Sequence, residues 1–106
     1  MESEDMVVRI IHTQDFMDKF QSIRDLELST IITTRLSRVA QGNFGDVKSI
    51  GGGLSELRIH YGAGYRIYYI MRGREIIILL CAGGKSDQKK DIKKAKILAE
   101  EYENEN

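Results

Sequence analysis

The sequence predicts one α+β domain over residues 1–106, with a largely antiparallel sheet and the element order β-α-α-β-β-β-β-α. Three observations carry this reading. Two helix-spaced apolar patterns sit together between residues 13 and 42, and three β-rich runs follow with no helix between them, from residue 54 to residue 81. A last helical stripe then closes the chain. With 106 residues, one modest core is all that can be buried.

The elements follow in order. "MVVRIIH" (6–12) is β-branched and apolar and reads as a strand. Thr13 offers an N-cap, after which Phe16, Met17, Phe20 and Ile23 recur at helical spacing. A second helix is marked by Leu28, Ile31, Ile32, Leu36 and Val39, and Gly42-Asn43 suits a left-handed exit from it. A short strand is expected around Asp46–Ile50, followed by three glycines (51–53) at which the backbone turns. Strands are expected at 54–61, 65–71 and 75–81. Ser86 can cap a final helix whose stripe is Ile92, Ala95, Leu98 or Ala99, and Tyr102, and residues 102–106 are expected to fray.

Composition narrows the function classes. No apolar run approaches the roughly 20 residues needed to span a bilayer, and no signal peptide opens the sequence. Cys81 is the only cysteine, so an internal disulfide is impossible and a cysteine metal cage implausible. It sits in "IIILLC" and reads as a small buried hydrophobe; a reduced, cytoplasmic setting follows as the expectation. The formal net charge is zero, yet residues 31–96 carry 13 basic against 5 acidic side chains, and both ends are acidic. Such segregation lets one face accept a polyanion, while the lysines of 89–96 also read as an ordinary solvated helix face.

The stretch "LSELRIHYGAGYRIYY" (54–69) raises the sharpest question, because Arg58, His60 and Arg66 interrupt strand-like runs. A three-residue turn through Gly62-Ala63-Gly64, with Gly64 left-handed, would place Tyr61 opposite Tyr65, Ile59 opposite Ile67 and Leu57 opposite Tyr69. The other side would then pair His60 with Arg66 and Arg58 with Tyr68, with Glu56 on the same face. A loop one residue shorter would push Arg66 onto the core face, where an unpaired charge is costly. The result is one greasy face for the helices and one bearing arginine, histidine and tyrosine. That second face is either an ordinary wet surface or a floor for an anion: arginine offers a fixed fork matched to phosphate oxygens.

The run "GNFGDVKSIGGGLSELRIHYGAGYRIYYI" followed by "LLCAGGKSDQKKDIKKAK" resembles the addiction-module killer proteins, a branch of the RelE/ParE toxin superfamily near the HigB-type toxins. The likeness runs from about Leu36 to Ala99. It implies a small toxin held inactive by a helix-turn-helix antitoxin from the neighbouring gene, touching DNA only through that complex. Many RelE-like members cleave mRNA on the ribosome with no metal or other cofactor. On this resemblance Arg58 and Arg66 hold the scissile phosphate, Lys48 and Lys85 add positive charge, and Tyr68 stacks on a base or donates a hydrogen bond. His60 is the default acid or base, histidine being the residue type suited to proton transfer near neutral pH, and it reads equally as a polar filler near the turn. Gln88 and Asp91 belong to the family pattern on the last helix. RNA contact by Gln88 and a structural role for both stay open.

The resemblance has gaps. Well-studied RelE-type enzymes have an arginine just after the glycine-lysine pair and a tyrosine on the last helix, and this chain has Ser86 and Ile92 there. A ParE-like inhibitor of DNA gyrase and a module that has lost toxicity therefore stand as alternatives to a nuclease.

Overall fold

The computed structural model describes residues 7–104. Its elements are β1 (Arg9–His12), α1 (Gln14–Gln21), α2 (Leu26–Ala40), β2 (Val47–Gly51), β3 (Leu54–Ile59), β4 (Tyr65–Arg72), β5 (Ile76–Gly84), a short 3-10 turn (Lys85–Asp87) and α3 (Gln88–Asn104). The predicted order is the observed one. The five strands lie in the order β1-β5-β4-β3-β2, antiparallel except for β1, which runs parallel to β5.

Local chemistry explains the element ends. Thr13 caps α1 by accepting from Phe16 N at 3.3 Å, and its hydroxyl donates to Leu79 O of β5 at 2.7 Å, so one residue ends a strand and starts a helix. Asp25 caps α2 through Glu27 N and Leu28 N. That helix closes as expected at Gly42 (φ 93°): Gly42 N donates to Val39 O and Asn43 N to Arg38 O, the paired bonds of a Schellman exit. Gly51, Gly52 and Gly53 all hold positive φ and carry the chain from β2 into β3.

Both faces of the sheet are covered. Phe16 of α1 and Ile32, Leu36 and Val39 of α2 pack with Leu57, Ile59, Ile67, Tyr69, Ile77 and Leu79. On the opposite face, Ile92, Ala95, Leu98 and Ala99 of α3 meet Leu54, Tyr68, Ile70, Ile78, Leu80 and Cys81. Consecutive residues Leu80 and Cys81 reach the same side because the β4–β5 register slips between Tyr68 and Tyr69, leaving one extra residue in β5. Cys81 is the small buried hydrophobe expected, and burial pushes its thiol pKa up to about 12.

Several boundaries differ from the sequence reading. The first strand is shorter than 6–12, and Met6 lies outside the described residues. Ser86 does not cap α3, because it lies within the 3-10 turn that precedes the helix. The last helix runs to Asn104, and the Tyr102 ring lies under the Arg72 guanidinium at 5.0 Å; residues 105–106 lie outside the described part. Among the described residues, no helix is long and apolar enough to cross a membrane.

Candidate phosphate-binding site

The hairpin register decides which side chains meet. Ile59 pairs with Tyr65, Arg58 with Arg66, Leu57 with Ile67 and Glu56 with Tyr68. The predicted register is therefore displaced by two residues. The connection is a five-residue loop, 60–64, because His60 and Tyr61 leave the ladder for other partners. His60 Nε2 lies 2.5 Å from Asp46 Oδ2, and the Tyr61 hydroxyl donates to Asp25 Oδ2 at 2.9 Å. That carboxylate bond is the main cause of a Tyr61 pKa raised to about 12. A shift of two keeps each side chain on its face, so Arg58 and Arg66 still share one side.

The two arginines sit directly across from each other, an arrangement that repels unless carboxylates intervene. Two do. Asp46 Oδ1 accepts from Arg58 Nη2 at 3.4 Å, and Glu56 Oε2 lies 3.9 Å from Arg58 Nη1 and 3.8 Å from Arg66 Nε. The His60 hydrogen bond, and then the Arg58 contact, hold the Asp46 carboxyl below the usual range. Arg58 Nε and Arg66 Nε and Nη1 are buried nitrogens without a hydrogen-bond acceptor among the described residues. Arg58, Ile59, His60, Gly64, Tyr65 and Arg66 line a cleft of about 170 Å³ beside them. One water occupies about 30 Å³, so a phosphate group has room. A larger cleft, about 500 Å³, lies between the Gly51-Gly52 turn and the end of α3. It presents Glu100 and Glu103 and suits a polyanion poorly.

One residue outside the sequence reading holds this arrangement in place. Arg35 of α2 donates to Arg58 O at 2.7 Å, Phe44 O at 3.0 Å and Asp46 O at 3.5 Å, clamping the α2–β2 loop onto β3. Its sequence signal was weak, since a lone arginine on a helix reads as a solvated side chain. Arg35→Ala is expected to cost about 2 kcal/mol, the usual range for hydrogen bonds from a charged donor, measured by urea unfolding. A loss under about 0.5 kcal/mol, the ordinary result at an unconstrained surface position, would contradict the clamp.

Comparison with known proteins places this geometry in a family. Residues 15–103 match the model of the phage-derived Gp49-like family (DUF891). The chain belongs to the Gp49-like family. It is also 44% identical over 96 residues to an uncharacterized protein of Haemophilus influenzae, covering 91% of this chain and 97% of that one. A double-arginine mutant of the E. coli toxin RelE in the free state has the same fold, with a TM-score of 0.67 at 13% identity, covering 85% of this chain and 95% of that one. Gp49-like membership and the shared fold support the RelE/ParE-type superfamily that the sequence resembled.

In this Gp49-like chain the sequence-predicted residues fall into three groups. Lys48, Arg58, Arg66 and Tyr68 share one sheet face: Lys48 pairs with Glu56, and Glu56 with Tyr68, in one row, and the two arginines form the next. Gln88 joins them from α3, its Nε2 donating to Glu56 Oε1 at 3.3 Å. His60 stands at the mouth of the cleft beyond the strand end, and Lys85 is exposed on the 3-10 turn, with no hydrogen bond or ion pair to the cluster among the described residues.

The picture of an open wet face needs correcting. Tyr68 is fully buried beneath α3, so its ring is closed to base stacking, and burial drives its hydroxyl pKa well up. The arginines are partly covered rather than free in solvent, with side-chain exposures of 34% for Arg58 and 14% for Arg66. The reason is α3, whose apolar stripe needs a sheet face when α1 and α2 have taken the other. Asp91 of α3 is buried too, packed against Gly83, and desolvation raises its pKa.

Proposed function

We propose that this chain is the toxin of a two-gene toxin–antitoxin system, a HigB-like, ribosome-associated mRNA endonuclease. The observation that supports this reading is the opposed Arg58–Arg66 pair, with orphaned guanidinium nitrogens beside a phosphate-sized cleft and His60 at its rim. In the proposed reaction the ribose 2′-oxygen attacks phosphorus while its proton passes to a base. The P–O5′ bond breaks, the 5′ oxygen takes up a proton, and a 2′,3′-cyclic phosphate and a 5′-hydroxyl end remain. Arg58 and Arg66 neutralise the charge that builds on the non-bridging oxygens, and Lys48 and Lys85 draw the flanking backbone. Ionised Asp46 can only accept, which fixes His60 Nε2 as a donor and leaves the Nδ1 lone pair of the neutral ring for the proton. Tyr68 contributes as packing in the row beside the arginines, under α3.

The proposed inhibitor is a helix-turn-helix antitoxin whose contact segment is acidic, since a basic cleft favours an anionic plug. Brief induction followed by mapping of RNA 5′ ends tests the activity. New 5′-hydroxyl ends within translated messages are expected, with growth arrest. Intact transcripts together with blocked DNA supercoiling would overturn the nuclease reading in favour of gyrase poisoning.

A further inference from the structure

Glu56 is a charged side chain only 2% exposed, an expensive placement unless its partners are fixed. Those partners come from three elements: Arg58 two residues along β3, Arg66 on β4 and Gln88 at the start of α3. Its Oε2 faces both guanidinium groups at nearly equal distance, 3.9 and 3.8 Å, while Oε1 accepts from the Gln88 amide at 3.3 Å. A purely structural carboxylate would be expected to satisfy the arginines' inner nitrogens. Here Arg58 Nε and Arg66 Nε and Nη1 are buried and keep no hydrogen bond within the described residues, while both arginine side chains line the cleft.

We propose that Glu56 is a positioning residue: it aims both guanidinium groups at the cleft and, braced by Gln88, offsets part of their charge. The inference rests on the phosphate-site reading above. Glu56 offsets part of the arginines' positive charge from inside the fold, and Asp46 does so for Arg58 from a more exposed position. The fork of Arg66 is then oriented before substrate arrives, which lowers the ordering cost at the transition state. It also assigns Gln88, a predicted RNA contact, to the task of holding Glu56 in place.

Glu56→Gln tests the idea in the full-length chain, because it keeps shape and removes charge. A short RNA with a 2′-deoxy sugar at its centre measures binding, single-turnover cleavage of ribosome-bound message measures rate, and NMR follows the arginine Nε–Hε resonances. Binding by the variant is expected to tighten about threefold to tenfold at low salt, with a steeper salt dependence, while the cleavage rate falls about tenfold to a hundredfold. The Arg58 and Arg66 resonances should broaden or shift. A merely structural role would weaken binding and rate together with thermal stability, leave the salt slope unchanged, and overturn the proposal. Glu56→Asp, which keeps the charge with shorter reach, serves if the first variant fails to fold, and it should lose rate without gaining affinity. If the wild-type chain cleaves no RNA, the nuclease reading fails on its own. The binding and resonance measurements still decide Glu56, and unmoved arginine signals would sink it.

Discussion

Replacing Arg66 by alanine is expected to lower the proposed RNA cleavage about 100-fold to 1,000-fold, the range seen when one preorganised donor to a developing oxyanion is removed. Arg66 is the better covered of the two cleft arginines and lies against a carboxylate that has almost no contact with water. Its charge therefore acts in a poorer dielectric than that of Arg58, and its removal leaves Glu56 with a single guanidinium partner. Stability should fall as well, by up to about 3 kcal/mol, the lower end for breaking a buried pair from one side. Arg66→Lys separates the effects. It restores the charge without the fork, so most of the stability should return while cleavage stays at least about tenfold down. Single-turnover rates and urea melts on the same preparations check both. Equal killing of cells by wild type and Arg66→Ala, with RNA ends unchanged, would remove this residue from the chemistry.

The second large effect is expected at Gly83, which pairs with Arg66 across the β4–β5 ladder. A Cβ at Gly83 would penetrate the Asp91 carboxylate, and the short Asp91 side chain has little slack to move. Gly83→Ala should therefore cost about 1–3 kcal/mol, as overpacking does. In Gly83→Ala/Asp91→Ala the loss should largely vanish, so that the double-mutant cycle shows strong coupling. Additive losses would mean that the obstruction lies elsewhere. Asp91 has a pH signature too. Its pKa is raised in the folded chain, so its contribution is complete below the unfolded value of about 3.9 and is lost as pH rises through the folded value. Asp91→Asn should accordingly flatten the decline of stability on that alkaline side and leave the protein more stable than wild type at pH 7. Thermal melts across pH 4–8 would show it.

Much of the architecture was legible because each element carries its own local signal. Thr13 caps, Gly42 terminates, and the apolar period changes between Val39 and Leu54. The hairpin was harder. Gly62 and Gly64 announce a turn but do not say which residues enter it, and that depends on Asp46 and Asp25, which lie 14 and 36 residues before their partners His60 and Tyr61. Parity survived the error, since a slip of two moves no side chain through the sheet. The cover over the site did not show, because nothing local to Tyr68 indicates where the last helix will lie. The same holds for Arg35, whose three acceptors are all backbone carbonyls and leave no pattern of side-chain types to read.

The lone parallel pairing has a consequence for how the molecule comes into being. Thr13, at the end of β1, reaches its acceptor on β5 across 66 residues, and Gln88 must be present before Glu56 is braced. A chain emerging from the ribosome therefore carries β1 without its sheet partner until β5 has been made. Assembly of this fold is a late closing event, slow by the rule that distant contacts form slowly.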